Sequence, residues 1–225
     1  MKKVRWLRFK SELSSEQVMA GLDTLKFSSQ DADGFQVVRF REDIVEARFI
    51  EKLEYDESVK DPFGVETISR HVTYRQQDFS IHSRHGTLEI TNPSRSLTPL
   101  LTRLGEACSF DCYIEPIYID LGLVKAKFIY ANDCFTNKST TVSDLDLGDG
   151  VVARVVASGI GSANKVLSDI VKSRPHKLNT IAYSSNTTEI RASYSISRDA
   201  ALRVSGRDGG KIIDAFRIFL YDSLI

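Results

Sequence analysis

FSIHSRHGTLEITNPSRSLTPLLTRL, residues 79–104, and ASYSISRDAALRVSGRDGGKIIDAFRIFL, residues 192–220, repeat one another in order rather than in letters. Each alternates apolar and polar side chains, turns, alternates again, turns, and ends in an apolar stripe at helical spacing. A period of two marks a half-buried strand, and apolar residues recurring at three and four mark a helix. Both stretches therefore read strand, turn, strand, turn, helix. In the first, Ser83-Arg84-His85-Gly86 joins the strands and Pro99 suits a first helical turn. Leu100, Leu101 and Leu104 form its stripe, which Gly105 closes. In the second the stripe is Ile212, Ile213, Phe216, Phe219, Leu220 and Leu224.

Working outward, residues 4–10 read as a strand, and Ser14 with Gln17 three positions on forms a capping box ahead of a helix carrying Val18, Leu22 and Leu25. After a turn at Asp33-Gly34 come strands over 35–41, 44–55, 65–75, 78–82 and 87–91. The second half begins with strands at 113–120 and 124–130, a polar loop or ragged hairpin over 132–150, and a β-branched strand at 151–157. Ser162 caps a helix with Val166, Leu167, Ile170 and Val171, closed by Arg174-Pro175. Strands at 178–184, 189–197 and 201–205 precede the last helix. The expectation is an α+β fold of two similar lobes, residues 1–112 and 113–225, each a mostly antiparallel sheet with two helices packed on one face. The order β-α-β-β-β-β-α, doubled, is similar to the arrangement of TATA-binding-protein-like folds. The resemblance lies in element order alone, so no functional residue of that family is carried over.

With 225 residues, 42% hydrophobic and 27% charged, the chain has ordinary globular usage, which excludes fibrous and solvated-tail classes. Thirty Lys and Arg balance thirty Asp and Glu, so no global field would hold the molecule on nucleic acid or an anionic membrane. The balance is uneven, however: from Val151 onward eleven Lys and Arg face six Asp and Glu. MKKVRWLRFK lacks the apolar core of a signal peptide, and no apolar run approaches a membrane span. Three cysteines fit reduced thiols and a cytoplasmic location.

Strand alternation assigns faces. Val38, Phe40, Val45, Ala47, Phe49, Phe79, Ile81, Leu88 and Ile90 should face helices, as should Val124, Ala126, Phe128, Ile190, Ala192, Tyr194, Ile196, Leu202 and Val204. Opposite them would stand Arg39, Arg41, Arg48, Lys125, Lys127, Arg191 and Arg203, mixed with Ser193, Ser195, Glu46 and Glu189. Such a face could track a phosphate backbone, since cations and hydroxyls position nucleic acid without reading its sequence; mixed charge on a solvated face is the plainer explanation. Lys165, Lys172, Arg174 and Lys177 would supply the rim. Gly159, Gly161 and Ser162 form a glycine-rich turn into a helix, a phosphate-binding candidate that matches neither a Walker loop nor a full dinucleotide fingerprint.

Other constellations carry less. His82-x-x-His85 straddles a turn, Cys108-x-x-x-Cys112 is not a tight metal knuckle, and the loop of Asp144, Asp146 and Asp149 lacks the glycine and glutamate positions of a calcium hand. No metal, cofactor or catalytic residue is expected, and no nucleophile elbow or zincin motif is present. The function expected is a non-catalytic nucleic-acid-binding module within a larger complex, with defence against mobile elements as its setting by association alone. The alternative is an assembly subunit that binds a protein partner or itself; a third reading is an enzyme holding a phosphorylated ligand at residues 159–165.

Overall fold

The computed structural model describes residues 1–60, 62–64, 66–129, 135–159, 163–172, 174–187 and 190–224. In chain order the elements are β1 (Lys2–Ser11), α1 (Ser15–Thr24), β2 (Asp33–Arg41), β3 (Ile44–Lys60), β4 (Glu66–His82), β5 (Thr87–Thr91), α2 (Thr98–Ala107) and β6 (Cys112–Pro116). Then follow α3 (Leu121–Leu123) with a π-helical continuation over Val124–Ile129, β7 (Thr136–Gly148), β8 (Val151–Ser158), α4 (Ala163–Val171), β9 (Lys177–Asn186), β10 (Arg191–Ser197), β11 (Ala201–Gly206) and α5 (Gly209–Leu224). Among the described residues this is an α+β fold with eleven mostly antiparallel strands and five α-helices.

The chain divides into two compact units, Arg8–Ile114 and Met1–Leu7 with Glu115–Ile225. In the first, the hydrogen-bonded order is β2-β3-β4-β5-β1. The capping box forms as its residues dictate: Ser14 Oγ accepts from the Gln17 N–H, and Gln17 Oε1 from the Ser14 N–H at 2.8 Å. Val18 and Leu22 of α1, and Leu100 and Leu104 of α2, are buried. A Cβ on Gly21 would collide with the Ala107 carbonyl, so glycine lets the two helices approach this closely. Helix α2 runs to Ala107, past the Gly105 stop expected from sequence, because a glycine inside a helix costs only about 1 kcal/mol and the buried stripe outweighs it.

Val45, Ala47, Phe49, Phe79, Ile81, Leu88 and Ile90 point into the core as alternation requires. Val38 does not, and is 60% exposed: the register between β2 and β3 slips from Val37 to Arg39, so a bulge turns Val38 outward. Of the two strands read over 65–75 and 78–82, residues 66–82 form one strand. β3 and β4 pair over seventeen positions from Ile44↔His82 to Lys60↔Glu66, while the β2 ladder ends at Glu51 and the β5 ladder at Asp78. Beyond those points the two strands form a ribbon of roughly 30 Å at ~3.4 Å per residue. Tyr55, Val59, Phe63, Ile68, Val72 and Tyr74 are exposed along it.

In the second unit the order is β1-β11-β10-β9-β7-β8. Its core joins Val4 and Trp6 of β1, Tyr194 and Ile196 of β10, Leu202 and Val204 of β11, and Ile212, Ile213, Phe216 and Leu220 of α5. A smaller cluster, Val142, Leu145, Leu167 and Val171, seats α4 on β7. Of the strand read over 124–130, residues 124–129 are helical instead. Leu121, Val124 and Phe128 are all buried, and their spacing of three and four is that of a helix, whose inward stripe took precedence over the period of two. The polar stretch 132–150 is, from Thr136, a long strand in a hairpin with β8, broken by two register shifts.

Candidate nucleic-acid interface

The expected cationic residues occupy several places. Arg39 and Arg41 are exposed on β2, where Arg39 stands opposite Glu46, and Arg48 on the neighbouring strand is bonded to Asp78 at 2.7 Å. Cross-strand pairing thus neutralises much of that face. In the other unit Lys3, Arg203, Ser195, Ala182, Ser139 and Ser158 form one continuous row across six strands. Arg203, Ser193, Ser205 and Arg191 are exposed on the side opposite the core, as alternation requires.

Lys125 is not on that sheet surface: it belongs to the helical turn after α3, because residues 124–129 are not a strand. Lys127 is on the same turn, its side chain outside the described residues, as is that of Lys165 in α4. Gly161 and Ser162 also lie outside them. The Gly159 N–H donates to the Lys138 carbonyl at 3.1 Å, so that amide is already engaged.

What the fold does assemble is a cleft of about 400 Å³ lined by Tyr118, Asp120, Leu121, His176, Lys177 and Arg198. The side chains arrive from three places: Tyr118 and Asp120 from the segment between β6 and α3, His176 and Lys177 from the entry into β9, and Arg198 from the β10–β11 turn. Backbone bonds set the turn, since the Arg198 N–H donates to the Asn179 carbonyl and the Ile119 N–H to the Arg198 carbonyl, both at 2.9 Å. The Arg198 guanidinium sits 5.7 Å from the centre of the Tyr118 ring, and that ring is 69% exposed. His176 and Leu178 also line a second hollow of about 230 Å³ with Lys125, Lys172, Leu167 and Val171. Lys125, Lys172 and Lys177 therefore converge around this region, with Arg174 exposed beside them in the chain.

Carboxylates are few here. Asp144 is bonded to Lys177 at 2.9 Å, and that lysine holds its carboxyl below the usual range. Asp120 spends one oxygen on the Gly122 N–H at 2.7 Å. Arg5 pairs with Asp199 at 3.2 Å, next to Arg198 in the chain. Among the described residues, no group of three or more His, Cys, Asp or Glu could hold a metal ion. No helix is long and apolar enough to cross a membrane among those residues.

Sequence reasoning missed Tyr118, His176 and Arg198. Lys172, Arg174 and Lys177 were expected at the rim, but an aromatic or arginine in a connection gives no periodic signal. No family model matches the chain, and no curated protein does.

Proposed function

We propose that the protein is a non-catalytic nucleic-acid-binding module acting as a subunit of a larger complex, with this cleft as its contact. The observation that carries the reading is the convergence of His176, Lys177 and Arg198 around a hollow that the exposed Tyr118 also lines. Cations hold a phosphate backbone, and an exposed ring offers a base a stacking platform independent of sequence. The row from Lys3 and Arg203 through the serines of β10 and β7 supports it as a second backbone-tracking surface. The test is binding of a fluorescent single-stranded oligonucleotide across a salt series. Two cationic contacts, Lys177 and Arg198, give a slope of log K against log salt of about −1.4, at about −0.7 for each. A slope near zero, or no binding at low salt, removes the proposal. The two-lobed, duplicated arrangement stands as a proposal beside it, supported by the hairpin-then-helix ending at β4–β5–α2 and at β10–β11–α5.

A second reading, assembly without nucleic acid, is favoured by the β3–β4 ribbon. An isolated two-stranded ribbon is marginal in water, and this one exposes Phe63 at 92% and Ile68 at 68%. Residues 51–77 carry six acids against four bases, so the occupant that fits is the basic outer face of a second copy. Light scattering after size exclusion should show dimers or larger species that Phe63→Ser reduces to monomer. A wild-type chain that is monomeric at every concentration rejects this reading.

A further inference from the structure

The segment leaving α2 folds Cys112 back onto Cys108. Cys108 is the buried C-cap, its N–H bonded to the Leu104 carbonyl at 3.1 Å. Ser109 and Phe110 follow at φ of 51° and 61°, two consecutive left-handed residues, neither of them glycine. L-residues avoid that conformation unless the surroundings enforce it, and such positions gather at working sites. The enforcement is visible: Ser109 N–H donates to Glu106 O at 2.8 Å, Phe110 N–H to Gly105 O at 2.7 Å, and Asp111 N–H to Cys108 O at 2.8 Å. Ser11 Oγ then pins the Asp111 carbonyl at 2.6 Å. This stapled turn leaves the two thiols hydrogen-bonded to each other. A cleft of about 320 Å³, with Lys10, Glu12, Asp111 and Tyr113 among its walls, opens onto Cys112 and not onto Cys108.

We propose that Cys112 and Cys108 form a peroxide-responsive dithiol, Cys112 as the attacking sulfur and Cys108 as the resolving one. The thiolate of Cys112 attacks one oxygen of a hydroperoxide and the O–O bond breaks. The sulfur is oxidised to a sulfenic acid, and the other oxygen leaves reduced, as water or an alcohol after taking a proton from solvent. Cys108 then attacks the Cys112 sulfur, the S–S bond forms, the S–O bond breaks, and the hydroxyl departs as water with the Cys108 proton. The division of roles agrees with the acidities. Hydrogen bonding from Cys108 holds the Cys112 thiol below its usual range against the opposing effects of burial and Asp111. The same bond, with burial and the charges of Cys112 and Asp111, pushes Cys108 up.

The experiment treats the full chain with hydrogen peroxide, counts free thiols and maps peptides by mass. Of the three cysteines, two should be consumed, leaving Cys134, with an intramolecular Cys108–Cys112 bond and a chain lighter by two hydrogen atoms. Cys112 should react at least tenfold faster than Cys134 in the same molecule. Cys108→Ser should stop at a sulfenic acid that dimedone traps on Cys112, and Cys112→Ser should lose the fast phase. Three intact thiols, a bond mapped between chains, or faster consumption of Cys134 in the wild-type chain each overturn the proposal, and none of these depends on a variant folding.

Discussion

Replacing Trp6 by alanine should weaken the unit that carries the cleft far more than its place near the chain terminus suggests. Trp6 is fully buried, its ring meets Phe216 of α5 edge-on at 5.4 Å, and Val4 beside it is 1% exposed. β1 also forms the first rung of that unit's sheet, from Lys2↔Val204 to Arg5↔Ala201, and the Trp6 N–H donates to the Ala200 carbonyl at 3.1 Å. Truncating a buried Trp costs about 3–5 kcal/mol, against a total of about 5–15 kcal/mol for a domain. With a urea dependence of about 2 kcal/mol per molar, the midpoint should fall by roughly 1.5–2.5 M at unchanged slope. Far-UV circular dichroism must follow it, because Trp6 is the only tryptophan in the chain. Trp6→Phe, which keeps a ring against Phe216, should recover much of the loss. By the same reasoning, residues 113–225 alone lack Val4, Trp6 and the β1 ladder, and should remain unfolded. A loss below about 1 kcal/mol for Trp6→Ala, well under the range for buried aromatics, or a folded 113–225 fragment, would refute a core built around β1.

Arg198→Ala should weaken single-strand binding by about 1–3 kcal/mol and reduce the salt slope by about 0.7, because it removes both a phosphate contact and the guanidinium stacked on Tyr118; Arg198→Lys should restore the slope without the full affinity. An unchanged slope in a titration of Arg198→Ala places the contact elsewhere. The Asp208 carboxyl is held below its ordinary range, first by the Arg191 N–H and then by Lys211. A group with a depressed folded pKa stabilises above its unfolded value of about 3.9 and loses that contribution as pH falls through the folded one. The urea midpoint of Asp208→Asn should therefore lie below wild type near neutral pH and converge with it in acid; a gap that persists in acid contradicts the linkage. Gly206 has φ of 103°, and a Cβ there would lie 2.8 Å from the Ala192 Cα, so Gly206→Ala should cost more than about 1 kcal/mol in the same assay.

Periodicity exposed most of the frame because burial imposes it. The stripe Ile212, Ile213, Phe216, Leu220 and the inward set Leu202, Val204, Tyr194, Ile196 could be read directly, since each faces one core. At residues 121–128 two periods coexist: Val124, Ala126 and Phe128 alternate with lysines, while Leu121, Val124 and Phe128 follow helical spacing. Only the second buries Leu121 as well, and a short apolar run cannot arbitrate between them. The bulge at Val38 was illegible for another reason, because a register slip of one residue leaves no mark in composition. The same physics explains why the charged face was overestimated and the cleft overlooked. Within a sheet each cation has a cross-strand neighbour at fixed distance, so Arg48 acquires Asp78 and Arg39 faces Glu46. Connections at strand ends lack that obligatory partner. There Arg198 lies over a tyrosine ring that neutralises nothing, whereas Lys177, the first residue of β9, is paired with Asp144 like the sheet cations. Positive charge in a chain of zero formal net charge is therefore best preserved where backbone turns bring together residues from distant connections, and no linear pattern announces such a place.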